Sequence, residues 1–159
     1  MKVLQLIDSL HPGGAEKMAI NLFKKLNENG VECLICSTRE EGLLKEEILD
    51  RNKYLFLQRK SVFDKRAIYR LYRFIKEKHI DTIHAHGTSF FLATIIKLIF
   101  RNKISLIWHD HYGNSEFLKD RSYKILRVCS IWFDGVICVN NALLAWCQIK
   151  LLISANPHK

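Results

Sequence analysis

The chain has 159 residues, 48% of them hydrophobic, which suits one domain with a full core and excludes a disordered chain. Its most apolar run, residues 90–100, carries Lys97 and falls well short of the roughly 20 residues of a membrane-spanning helix. The net charge of +9 points to an anionic partner, whether a phosphorylated ligand, an anionic membrane or a nucleic acid, without choosing among them.

Residues 2–8 read as a buried strand ending in an acid, not as a secretory leader. A loop with Pro12, Gly13 and Gly14 follows. From Ala15 the period becomes helical: Ala15, Met18, Ala19, Leu22, Phe23 and Leu26 recur at steps of three and four, and Gly30 supplies the stop. Residues 31–37 form the second strand, 43–50 a short helix and 53–57 a weaker third strand. Asp64 is placed to cap a helix running to about Lys78, with Ala67, Ile68, Leu71, Tyr72 and Ile75 on one face. Then come a strand at 80–85, an apolar helix at 89–100, a strand at 104–109, a helix at 120–132, a strand at 135–139 and a helix from Asn141. Strands alternate with helices, and several strands are apolar on both faces. The pattern predicts an α/β, Rossmann-like three-layer sandwich with a mainly parallel sheet. Residues 1–150 are expected to form the domain and 151–159 a tail.

Cys33 and Cys36 have CxxC spacing, but residues three apart on a strand face opposite ways. No second pair completes a zinc site, so buried, reduced thiols of a cytosolic protein are expected.

Ligands of parallel sheets bind beyond the carboxyl ends of the strands, where strand order switches. The first such loop, Asp8 to Glu16, places Gly13 and Gly14 before a helix whose free N–H groups suit a phosphate; a simple tight turn is the competing reading. The loops after the fourth and fifth strands hold His84, His86, His109 and His111, four of the seven histidines. A neutral histidine can accept a proton, and a neighbouring carboxylate such as Asp110 can orient it. Alternate histidines share a strand face, which leaves a metal site as a rival. No cysteine or acid joins them at zinc-ligand spacing, so no metal is expected.

Five motifs in this order carry a resemblance: Lys2-Val-Leu-Gln-Leu-Ile7, Gly13-Gly-Ala-Glu16, Ile83-His-Ala-His-Gly87, Leu106-Ile-Trp-His-Asp110 and Gly135-Val-Ile-Cys-Val139. Together they resemble the N-terminal domain of glycosyltransferase family 4, enzymes of the GT-B fold in which two Rossmann-like domains face each other across a cleft. The resemblance implies transfer of a sugar, with retention, from a nucleotide-sugar donor to a lipid-linked or saccharide acceptor. The products would be cell-surface polysaccharide or glycolipid, and no metal or other cofactor would be needed. It implies that His109 is the catalytic residue near the reacting sugar. Gly13, Gly14, Glu16, His86 and Asp110 would contact donor or acceptor.

In that family a second domain carries the glutamates that hold the nucleotide sugar. Residues 151–159 therefore read as a truncated tail, with Asn156-Pro157 a remnant of the interdomain turn, and the chain alone is expected to be inactive. A cytoplasmic protein, peripheral on the inner face of the plasma membrane, is expected. The basic and aromatic residues of helix 64–78 (Lys65, Arg66, Tyr69, Arg70, Tyr72, Arg73, Phe74, Lys76, Lys78) suit an anionic membrane surface. Two other readings compete. A nucleic-acid module would fit the charge, but no RRM, KH or helix-turn-helix signature supports it, so no nucleic acid is expected. A non-enzymatic α/β binding module or remnant is the second.

Overall fold

The computed structural model describes residues 1–101, 103–113 and 115–152. The Asn156-Pro157 remnant and most of the expected tail lie outside the described residues. Six strands form one sheet: β1 (Lys2–Ile7), β2 (Glu32–Ser37), β3 (Tyr54–Phe56), β4 (Thr82–His86), β5 (Ser105–Asp110) and β6 (Gly135–Cys138). Five α-helices connect or follow them: α1 (Gly14–Glu28), α2 (Lys65–Lys78), α3 (Phe90–Ile99), α4 (Lys124–Cys129) and α5 (Asn141–Lys150). The strand order is β3-β2-β1-β4-β5-β6, and every pairing is parallel. The sheet is thus wholly rather than mainly parallel. The chain starts in the middle, winds out to β3, then returns to place β4 on the other side of β1. The loops after β1 and β4 therefore diverge, and a crevice opens between them.

Both faces of the sheet are buried, as apolar runs on the strands require. One face (Leu4, Leu6, Leu34, Ile83, Leu106, Trp108) packs with Leu71 and Ile75 of α2 and Leu92 and Ile96 of α3. The other (Val3, Ile7, Ile35) packs with Ala19, Ile20 and Phe23 of α1. Cys33 lies in the α1 layer and Cys36 in the opposite one, both fully buried, so the CxxC pair is divided by the sheet. Burial pushes the Cys33 thiol up to about 11, and Cys36 higher still. β6 lies at an edge of the sheet and leaves Ile137 and the following Val139 exposed.

Local chemistry sets the helix ends. Asp64 Oδ1 accepts from the N–H groups of Arg66 and Ala67, both at 3.1 Å, and caps α2 as expected. α2 stops at His79, which turns left-handed (φ 54°) so that Ile80 N–H can bond the Ile75 carbonyl. Gly30 takes φ 79° after α1. Elsewhere the elements are more broken than the apolar period implies. Expected helix 43–50 is a 3₁₀ turn, Leu43–Glu47, and expected helix 120–132 reduces to α4 flanked by 3₁₀ turns. The break at Arg121 lets that side chain reach back to β5. Among the described residues, no helix is long and apolar enough to cross a membrane.

Gly42 holds the loop after β1 in place. A Cβ there would lie 2.2 Å from both the Leu10 carbonyl carbon and the His11 nitrogen, and Leu44 N–H donates to the Leu10 carbonyl at 3.1 Å. Backbone cannot yield as a flexible side chain can. Gly42→Ala should therefore lower stability by about 1–3 kcal/mol. Urea unfolding will show this as a lower midpoint at unchanged slope; an unshifted midpoint means the two loops do not pack this closely.

Candidate functional site

One carboxylate organises the crevice at the carboxyl edge of the sheet. Asp8, just past β1, accepts through Oδ1 from Thr38 Oγ and from Arg59 Nη2 at 3.2 Å, and through Oδ2 from Thr88 Oγ at 2.7 Å. Arg39 Nε stands 3.5 Å from Oδ2. The loops after β1, β2, β3 and β4 are thereby tied to a single side chain. Arg59 is itself buried, so only this carboxylate makes its charge tolerable there.

Beside this knot lies a cleft of about 950 Å³. Phe63, Phe91, Trp108 and Ile125 line its apolar wall, and Arg39, Arg59 and Arg121 its polar side. Val62, Phe63 and Ile125 are solvent-exposed at its mouth. Arg121 closes one end. Its guanidinium holds Asp110 bidentately, Nη1 to Oδ2 at 2.6 Å and Nη2 to Oδ1 at 2.9 Å, and lies 4.4 and 4.3 Å from the ring centroids of Tyr112 and Trp146.

Histidines fill the other side of β4 and β5. His84, His86 and His109 are each less than a tenth exposed. The ring of His109 lies 5.2 Å from that of His84, 5.4 Å from that of His86 and 3.9 Å from that of His111, centre to centre. Gln5 Nε2 donates to Cys33 Sγ at 3.5 Å, which leaves its Oε1 to accept from His86 Nε2–H at 2.7 Å. His86 Nδ1 then carries the lone pair and accepts from His111 Nε2–H at 3.0 Å. Burial, reinforced by the charge each neighbour would carry, depresses these rings: His84 to about 4, His109 to about 3, and His86 well below the ordinary histidine value. All are neutral at physiological pH.

The expected site residues divide between the two sides. Successive strand residues face opposite ways, so Asp110 points away from His109 and binds Arg121; it does not orient His109. The resemblance implies that His109 lies near the reacting sugar, yet it does not line the cleft. It is buried among the other histidines instead, and His111 is the member of the group that lines the cleft. Gly13 is the N-cap residue of α1 with no side-chain cap, so the first N–H groups of that helix carry no side-chain partner. Ala15 lines the cleft, which sets Gly13 and Gly14 at its rim. Glu16 lies over Gly13, its Oε2 2.4 Å from where a Cβ would be; a flexible acid thus sits at the place an anion would take. Sequence reasoning missed Gln5, Thr88, Arg59 and Arg121. An isolated basic residue gives no local signal of the acid it will meet, 51 residues away for Arg59.

A wholly parallel sheet of this strand order, with a cleft outside its carboxyl edge at the switch point, defines a Rossmann-like ligand-binding domain. The chain belongs to glycosyltransferase family 4, whose profile matches residues 12–153. No curated protein gives a significant match. The family works on a sugar donor and an acceptor.

The depressed histidines make stability depend on pH in a defined direction. Unfolded, they titrate near the ordinary value of about 6.5; folded, His84 and His109 titrate far lower. Between those limits the unfolded chain binds more protons, so their contribution is complete above about pH 6.5 and is lost as pH falls toward the folded values. In metal-free buffer the melting temperature should drop by at least about 5 °C from about pH 7 to about pH 5, where most carboxylates are still ionised. A flat profile across that interval would contradict the buried neutral rings.

Proposed function

We propose that this domain forms the acceptor side of a retaining glycosyltransferase that moves a sugar from a nucleotide-sugar donor to a lipid-linked acceptor, in the synthesis of surface polysaccharide or glycolipid. The observation that carries the choice of acceptor is the apolar wall of the cleft, opening between exposed Val62 and Phe63. A free saccharide has little use for phenylalanine walls; a lipid chain does. Arg39 and Arg59 beside that wall suit the phosphate of such a lipid. The uncapped start of α1 at Gly13 and Gly14 suits the donor diphosphate, once Glu16 swings aside. His109 then acts from behind His111 and positions it toward the reacting sugar, with His86 and Gln5 fixing the tautomer.

The mouth of the cleft adjoins α2. Along α2, Lys65, Arg66 and Lys76 are exposed with Tyr69, whereas Arg70 bonds the Phe56 and Leu57 carbonyls and Arg73 pairs with Glu77. The basic face is therefore smaller than the sequence alone implies. It still suits the inner face of a cytoplasmic membrane, where each basic residue contributes about 1 kcal/mol. On this reading the domain rests on the bilayer with its cleft mouth toward the lipid. Chemistry also requires a donor-binding domain, because holding both substrates in register supplies roughly 7–11 kcal/mol of the rate enhancement.

The test combines this chain with the donor-binding domain of a family relative, a panel of nucleotide sugars, and one acceptor glycan offered both on its lipid and released from it. Transfer should occur only with both domains present and only to the lipid-linked form. Phe63→Asp should raise KM for that acceptor at least about tenfold with little change in kcat. Transfer by the chain alone, or equal use of the lipid-free glycan, would sink the proposal.

A further inference from the structure

The strand register gathers three imidazoles around one point. Side chains alternate along β4, so His84 and His86 share a face, and the β4–β5 register sets His109 directly opposite His86. One ring nitrogen from each of the three lies within 4.8 Å of the others. Around a tetrahedral zinc ion, bonds of about 2.0–2.1 Å separate ligand nitrogens by about 3.4 Å, so small side-chain rotations suffice to close this group.

Two ring nitrogens of this group lack a partner. His84 Nε2 and His109 Nδ1 are buried and have no hydrogen-bond partner among the described residues. An unpaired buried polar atom is costly, and two on one cluster call for a compensating partner. The third ring is prepared from behind. Gln5 accepts from His86 Nε2–H and so directs the Nδ1 lone pair forward, the kind of outer hydrogen bond that fixes a ligating histidine. That lone pair is held by His111, whose ring is only partly buried and can turn away.

We propose that His84, His86 and His109 bind one borderline divalent transition-metal ion, of the zinc and copper class, with a coordination position left open beside His111. Three nitrogens and no oxygen donor exclude calcium and magnesium as natural occupants. This site is independent of the sugar-transfer reading, since it rests on the histidine geometry alone. Where both hold, an ion would take the His86 Nδ1 lone pair from His111 and free that ring toward the cleft.

The rival soft-donor pair is Cys138 and Cys147, whose sulfurs are 3.6 Å apart. Cobalt distinguishes the two. Tag-free full-length chain, reduced and stripped with chelator, is titrated with Co²⁺ and then with Zn²⁺. The expected result is one Co²⁺ per chain with visible ligand-field bands, no thiolate charge-transfer band, and displacement by one equivalent of Zn²⁺. His84→Gln and His109→Gln should each weaken binding at least about tenfold, while Cys138→Ser should bind as the native chain does. Absence of ligand-field bands, a thiolate band, or unchanged binding in both histidine variants overturns the proposal. The native spectrum decides between nitrogen and sulfur ligands even if a variant fails to fold.

Discussion

A single half-buried carboxylate carries the architecture of the site. Asp8 stands at the point where the chain leaves the central strand, and its two oxygens draw in Thr38, Arg59 and Thr88 from three other strand ends. Parallel strands end at their carboxyl edge in a row of free loops, which on their own would wander. Tying four of them to one side chain gives the crevice a fixed floor. The arrangement also explains how a guanidinium as enclosed as that of Arg59 is tolerated: removing its partner would leave a buried charge unmatched, at a cost of about 3–5 kcal/mol.

A second constraint, strand alternation, divides the site into two compartments. Trp108 and Asp110 look toward the cleft, whereas His109 between them looks toward the histidines. One short sequence thus serves two environments of opposite character. The cleft is open, apolar-walled and rimmed by arginine. The histidine side is closed and held neutral by burial. His111, beyond the end of the strand, escapes the alternation and touches both. That makes it the natural point of communication between them.

The fold was legible because burial imposes a period. A strand covered on both faces leaves an apolar run, an amphipathic helix leaves steps of three and four, and Asp64 and Gly30 mark ends through local chemistry that needs no distant partner. The division of Cys33 from Cys36 followed from the same alternation. What could not be read was register and reach. The sequence set the four histidines at one edge of the sheet, but nothing local says that His86 will lie directly opposite His109. Asp110 seemed a partner for its neighbour, yet the strand turns it toward Arg121. Nor does anything local to Gly42 announce that the Leu10 backbone passes against it. Long-range pairings of this kind are set by topology.

The strand order also has a consequence for how the domain is made. β1 leaves the ribosome before the other five strands of this sheet yet lies third in it, and its partners arrive in two instalments. β2 follows after a single helix, but β4 pairs Thr82 with Val3, nearly half the chain later. Until then the nascent chain carries a three-stranded half-sheet in which β1 is an edge strand with one bare side, and the polar cap of that edge, Asp8 with Thr88, is incomplete as well. Synthesis at roughly 5–20 residues per second leaves that edge uncovered for seconds. The half-domain ending at β3 is thus the species most in need of shielding, and β4 is the strand whose arrival commits the chain.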